Sequence, residues 1–351
     1  MHQSEQPSSP LDKENMLGYI NALPDQLESA WLLGMSLPLP QVPQIEHVLI
    51  AGMGGSAIGG DMLAAYARER CQVPVITHRD YGLPAWANGP STLVICSSHS
   101  GNTEETLSAF QTALQRNCSL LTLSTGGKLS TQAEDAGVIS WQFVHPGQPR
   151  TAVAYSFGML LACLQRLDLI SDSSDDLRSA IVAMRKQRQI LDPGLQDEND
   201  PARQLACLLF DRNVAIFAAD VFEVIARRWK TQFNELGKAW AQFEGLPEGD
   251  HNTLVATLNP QALLKQLSTV FLTSDFNHPR NQLRLKLTRQ MLGQSTINTH
   301  EVWGQGETLL AQLWTLLQFG DYVAYHLALQ YAVDPTPVEA LSQLKNKLAA
   351  L

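Results

Sequence analysis

The chain has 351 residues, 44% of them hydrophobic and 17% charged, with a net charge of −9. That length and apolar content can build a large core and predict two domains, while the low charged fraction argues against long disordered tracts. An acidic chain without a Lys/Arg cluster is a poor fit to nucleic acid or an anionic membrane, yet one local site can still hold a phosphorylated small substrate.

Residues 1–10 read as a loose polar tail without the apolar run of a signal peptide. Leu11 to Leu33 has helical apolar spacing, interrupted by Pro24. Strands and helices then alternate. His47 to Ala51 reads as a strand, a Gly-rich turn follows, and a helix continues over Met62 to Arg70. Val73 to Thr77 and Thr92 to Cys96 read as the next strands, with a helix over Glu104 to Arg116. Ser119 to Leu123 is a fourth strand, Val138 to Val144 a fifth, and Thr151 to Leu169 a long amphipathic helix. Such alternation predicts a doubly wound parallel sheet with helices on both faces. Ligands in such sheets sit at the carboxyl ends of strands, where strand order reverses.

Ser171 to Asp176, SDSSDD, is the best linker signal, followed by a helix over Leu177 to Leu191. The theme then repeats. Val214 to Phe217 is a strand with a helix over Val221 to Lys230, and Thr269 to Thr273 a strand with a helix over Asn281 to Met291. The expected division is therefore a tail and helix over 1–45, one α/β domain over 46–172 and a second over 173–351. Leu309 to Val333 is the richest apolar stretch, but Asp321, His326 and its amphipathic spacing argue against a membrane span. Five cysteines, at 71, 96, 118, 163 and 207, form no CxxC pair. Reduced thiols in a cytoplasmic protein fit that pattern better than disulfides or zinc.

Two polar loops follow strands. In GMGGSAIGGD, Gly52 to Asp61, residues Gly52, Gly54 and Ala57 fit the dinucleotide pattern G-x-G-x-x-A, with Asp80 about where a ribose-binding acid would sit. A tight turn needing glycines for close packing explains the same residues. The second loop, CSSHSGNTEE from Cys96 to Glu105, places Ser98, Ser100 and Thr103 around Gly101 and Asn102. A helix starting there would aim backbone N–H groups at the loop, and the hydroxyls add donors suited to a phosphate monoester. N-capping by Ser100 or Thr103 would account for one hydroxyl, and three are harder to explain that way.

These loops resemble the two hallmark loops of sugar isomerase (SIS) domains. RWKTQFNELGK (Arg228 to Lys238), His251-Asn252 and DPTPVEALSQLK (Asp334 to Lys345) resemble the bifunctional phosphoglucose/phosphomannose isomerase family, from about residue 45 to the end. The resemblance implies two SIS-type domains and interconversion of glucose 6-phosphate, and of mannose 6-phosphate, with fructose 6-phosphate through an enediolate. It implies Gly55, Ser56, Ser98, Ser100 and Thr103 on the substrate phosphate, and Glu235 as the base, with Phe233 and Leu236 predicting its partial burial. It further implies His251 at the ring oxygen, reaching in from the partner of a homodimer, Arg150 on the enediolate, and Lys345 near the C-terminus with Lys347 close by. No cofactor or metal is implied; His300-Glu301 lacks the HExxH spacing. The sequence departs from the family pattern at His99, often a tyrosine, at Thr253, usually a glutamate, and at Phe217 to Asp220, where a glycine-containing turn is expected. A noncatalytic sugar-phosphate sensor is the alternative, and would lack the base or add a DNA-binding segment. A nicotinamide dehydrogenase built on the Gly52 loop is the third reading.

Overall fold

The computed structural model describes residues 9–42, 44–191, 199–295 and 297–350, so most of the predicted tail lies outside the described residues. After α1 (Met16–Asn21), the chain forms α2 (Leu23–Ser36), β1 (His47–Ala51), α3 (Gly54–Ala67), β2 (Val75–His78) and β3 (Thr92–Ser98). Next come α4 (Glu104–Gln115), β4 (Ser119–Ser124), α5 (Gly127–Asp135), β5 (Ser140–Gln142), α6 (Val153–Arg166) and α7 (Ser174–Leu191). The remainder is α8 (Pro201–Leu209), β6 (Asn213–Ala219), α9 (Glu223–Glu235), β7 (Ala241–Leu246), α10 (Gln261–Leu264) and β8 (Leu267–Thr273). It closes with α11 (Pro279–Gln294), β9 (Asn298–Trp303), α12 (Leu309–Gln330) and α13 (Glu339–Ala349). These elements fall into two compact units. The first is Ala22–Arg185 with Gly306–Gln312, and the second holds the rest of the described chain.

The first unit carries a parallel sheet in the order β2-β1-β3-β4-β5. Every residue of β3 is buried, which is why Thr92 to Cys96 reads as a continuous apolar run rather than an alternating one. Leu49, Ala51, Val94 and Cys96 pack with Phe110 and Ala113 of α4 and Leu129 and Ala133 of α5. The opposite face meets α3, where a Cβ on Gly60 would lie 2.9 Å from Ile50 Cγ2. Strand order reverses between β1 and β3, because α3 carries the chain to one side and α4 to the other.

The second unit repeats the plan with a parallel sheet in the order β7-β6-β8-β9, reversing between β6 and β8. Phe217 and Phe271 stack at 4.8 Å in a core shared with Leu246, Leu285 and Leu292. Helix α9 is clamped to α12. Trp229 Nε1 donates to the Leu316 carbonyl at 2.8 Å, and Arg228 makes a two-pronged pair with Asp321 at 3.1 and 2.7 Å.

Several boundaries differ from the sequence reading. The interruption expected at Pro24 falls at Ala22, between α1 and α2, and Pro24 occupies the first turn of α2, where a missing N–H costs nothing. Helix α3 starts at Gly54 rather than near Met62, so the first Gly-rich segment is mostly helix. Its glycines lower helix propensity but permit close packing, and packing prevails. The helix predicted from Thr151 starts at Val153, after a 3₁₀ turn over Pro149–Thr151. Strands β7 (AQFEGL) and β9 (NTHEVW) carry no clear strand signal, since they edge the sheet and are only partly buried. Among the described residues no helix is long and apolar enough to cross a membrane.

Both members of the Arg228–Asp321 pair are nearly sealed from solvent, at 1% and 3% exposure. Truncating one partner strands the other's charge, so Arg228→Ala should cost about 3–5 kcal/mol in urea unfolding. The double variant Arg228→Met/Asp321→Leu should recover most of that loss. A single variant as stable as the parent would show that the pair does not hold α9 in place.

Candidate active site

The two loops sit on either side of the β1/β3 reversal, at the carboxyl ends of those strands. Gly55 and Ser56 lie in the first turn of α3. A Cβ on Gly55 would sit 2.5 Å from the Pro149 carbonyl oxygen and 3.3 Å from Arg150 Cα, so glycine is what lets that turn and Arg150 meet. Arg150 is 3% exposed there.

Hydroxyls build the second loop. Ser98, buried at the end of β3, shares a 2.9 Å hydrogen bond with the Thr103 hydroxyl. Ser56 Oγ accepts the His99 N–H at 3.2 Å and ties the α3 turn to the loop. Ser100 Oγ accepts the Asn102 N–H at 3.2 Å, and the Asn102 side chain accepts the Lys128 N–H at the start of α5. Gly101 adopts φ +64°, and a Cβ there would lie 1.8 Å from the Gly126 carbonyl oxygen. Thr103 stands at the N-cap of α4 without making a side-chain cap bond, and Met53 makes none at the N-cap of α3. Capping therefore does not explain the hydroxyls. Two helix N-termini converge with buried serines between them, an arrangement that binds anions.

In the second unit, Glu235 is the last residue of α9, half-buried between Phe233 and Leu236, which are both fully buried. The helix end is closed around it. The Ala239 N–H donates to the Phe233 carbonyl at 3.1 Å, and Lys238 Nζ donates to the Glu235 carbonyl at 2.5 Å. His251 ends a 3₁₀ turn after β7 and is exposed. Its neighbour Asp250 anchors that turn to α11, accepting from Arg284 and from the Thr288 hydroxyl, both at 2.7 Å. Asn252 Oδ1 accepts from the Thr253 N–H at 2.6 Å and from the Thr253 hydroxyl at 2.9 Å, a local capping use for that departure. Lys345 and Lys347 lie on α13, both exposed.

The structure brings Gly55, Ser56, Ser98, Ser100, Thr103 and Arg150 together, but separates Glu235 from His251 within the chain. Helix α9 returns the chain to the start of parallel strand β7, and His251 follows that strand's end. Six residues of strand, at ~3.3 Å each, put on the order of 20 Å between the two ends.

Residues 198–348 match the family model described as the bacterial phospho-glucose isomerase C-terminal SIS domain. A bifunctional phosphoglucose/phosphomannose isomerase of Caldicellulosiruptor bescii is 37% identical over 331 residues, 94% of this chain and 97% of that one. Another of that description, from Aquifex aeolicus, is 30% identical, covering 86% of this chain and 90% of its own. This chain belongs to the bifunctional phosphoglucose/phosphomannose isomerase family. A hypothetical protein of Thermus thermophilus shares its fold, with TM-score 0.73 at 19% identity over 98% and 92% of the two chains. The dinucleotide reading falls with this membership, and the strand order differs from the 3-2-1-4-5-6 order of dinucleotide-binding sheets.

His99, a departure from the family pattern, has a partner for which no sequence signal exists. Its Nε2 lies 3.0 Å from His145 Nδ1, and the rings meet edge to face. The Thr151 hydroxyl donates to the Gln148 carbonyl at 2.8 Å, leaving its oxygen to accept from His145 Nε2 at 3.4 Å. Phe143 and Tyr155, stacked at 4.9 Å, wall the pair. Burial, and then the charge His99 would carry, pushes His145 down to about 4; burial also lowers His99.

In the unfolded chain each imidazole takes its proton near pH 6.5, whereas folded His145 resists until about 4. Between those values the unfolded state holds more protons, so stability falls as pH falls. The urea midpoint should therefore drop between pH 6.5 and 4, and His145→Gln should flatten that slope. An unchanged slope in the variant would show the pair does not titrate as described.

Proposed function

We propose that this chain is an aldose–ketose isomerase that interconverts the 6-phosphates of glucose and mannose with fructose 6-phosphate. The carrying observation is the hydroxyl-lined meeting of the α3 and α4 N-termini beside buried Arg150. It suits a dianionic phosphate monoester next to a centre that develops negative charge. In this reading Gly55, Ser56, Ser98, Ser100 and Thr103 hold the phosphate through backbone N–H groups and hydroxyls.

The chemistry needs a base at the carbon beside a carbonyl. Glu235 removes the proton from C2 of the open-chain aldose, and the C–H electron pair moves into the C1–C2 bond as the carbonyl oxygen gains negative charge. Arg150 stabilises that charge without titrating. The enediolate oxygen takes the hydroxyl proton, and Glu235 returns its proton to C1, giving the ketose. Glucose and mannose phosphates differ only at C2 and so share this enediolate. His251 exchanges a proton with the ring oxygen during ring opening, a task suited to imidazole near neutrality. Lys345 adds a cation to the substrate's surroundings. No step calls on a metal or cofactor. We place the enzyme in the cytoplasm, where its five free thiols would stay reduced.

The separation of Glu235 from His251 along β7 supports shared sites. In a homodimer of this chain, His251 of one copy serves Glu235 of the other.

The direct test is a coupled assay on both aldose phosphates without added metal. Glu235→Gln should lower kcat by about 10²–10⁴-fold while substrate binding persists. Normal turnover by that variant would remove Glu235 from the role of base. Shared sites make a second, separate prediction. Glu235→Gln and His251→Ala chains, each inactive, should regain on the order of a quarter of the parent activity when unfolded together and reassembled, since each mixed twofold dimer keeps one complete site. Mixed dimers that stay inactive would show both residues serve within one chain.

A further inference from the structure

The second unit follows the first residue by residue at its strand reversal. Counting from the paired strand starts, His47 with Thr92 and Asn213 with Leu267, Gly54 corresponds to Asp220 and Thr103 to His278. Backbone geometry agrees with that count. Met53 lies at φ −125°, ψ 159° and Ala219 at φ −134°, ψ 161°. Gly54 and Asp220, which follow them, have φ +52° and +58°. Thr103 is the N-cap of α4, and His278 is the N-cap of α11. The second unit thus retains the frame that makes a phosphate cradle in the first.

What fills that frame differs. At Gly54 a Cβ would meet nothing within 4 Å, so the turn opens onto space. At Asp220 the side chain enters that position and turns its carboxylate onto the start of α11. One oxygen accepts from Asn281 Nδ2 at 2.6 Å. The other accepts from the His278 N–H at 3.0 Å and from Asn277 Nδ2 at 3.1 Å. Asn277 is buried and braced, donating to the Ala219 carbonyl at 3.1 Å and accepting the Ser274 N–H at 2.9 Å. The counterpart of Ser100 is Asp275, which replaces a hydroxyl donor with a second negative charge. Left-handed backbone is unfavourable for a non-glycine residue, though aspartate is among those that tolerate it, and here several hydrogen bonds to an ionised group offset that cost.

We infer that the second unit carries a phosphate-type seat held shut by the Asp220 carboxylate, so that each chain takes one phosphate and not two. The internal carboxylate does there what a bound phosphate does in the first unit: it satisfies a helix N-terminus and orders both loops. This ordering needs no ligand. It fixes the start of α11, the helix to which Asp250 ties the His251 turn.

The inference rests on the cradle reading of the first unit, and the test separates the two. Inorganic phosphate is titrated into the full chain by calorimetry, with ³¹P NMR as the second readout. The parent should bind one equivalent per chain. A second equivalent of comparable affinity would overturn the inference, whether or not any variant folds. Ser98→Ala/Ser100→Ala should weaken the parent equivalent about tenfold or more. Asp220→Gly/Asp275→Ser, made in the Ser98→Ala/Ser100→Ala background, should restore one equivalent, and that equivalent should vanish when the aspartate at position 220 alone is put back. If Ser98→Ala/Ser100→Ala leaves the parent equivalent unchanged, the cradle reading fails, and the variant opened at position 220 still decides the second seat. An opened variant that folds with parent-like circular dichroism and gains no equivalent overturns the inference.

Discussion

The structure depends on what happens to a helix N-terminus at the point where a parallel sheet reverses direction. The first turns of α3 and α4 present N–H groups that the helices themselves cannot satisfy, and neither cap residue supplies a side-chain acceptor. Water can serve such groups, but a phosphate serves them with charge as well, and the two helix dipoles add to that preference. Other features of the first unit follow from bringing those termini together. Gly55 is small so that the Arg150 turn can approach, Gly101 is left-handed so that its loop can pass Gly126, and Asn102 braces the loop against α5.

Much of this was legible in the sequence. The buried apolar run of β3, the glycines after β1 and the excess of hydroxyls after β3 each encode a local requirement, and local requirements leave local patterns. The parallel sheet follows from strand–helix alternation, whereas its order, and with it the reversal under both loops, comes from the structure. What was not legible depends on distant partners. Helix α3 starts among glycines because Pro149 and Ser156 pack against them, which no propensity reports. Edge strands β7 and β9 are held by register with β6 and β8, and their own residues would suit a loop equally well. His145 leaves no local pattern at all, being defined by a contact with His99 across 46 positions of chain. Asp220 did leave a mark, the absence of glycine where a turn needs one, but its meaning needed the carboxylate's partners.

The His99–His145 pair shows how a departure from a family pattern can be absorbed. A buried imidazole needs its ring nitrogens satisfied, and His145 meets that need at one nitrogen of His99 while Thr151 anchors its own far side. Burial favours the neutral form of both rings, so the pair brings no added positive charge to the hydroxyl loop. The site keeps a buried cation, Arg150, near the hydroxyls, and gains a rigid aromatic wall from Phe143 and Tyr155.

Two units with one plan therefore use the same geometry differently. The first leaves its helix termini open to a ligand, and its loops carry small and hydroxylated residues. The second closes the equivalent opening with Asp220, and its helices become anchors: α9 is locked through Arg228 and Trp229 and ends at Glu235, while α11 is locked at its start and holds the Asp250–His251 turn. A proton-transfer residue must hold its place before substrate arrives, because each ångström of freedom reduces the fraction of encounters in which the reacting atoms align. An anion site gains from being open, since the ligand supplies the last hydrogen bonds itself. Two units on one plan allow both requirements to be met, with the second unit's frame closed by the Asp220 carboxylate.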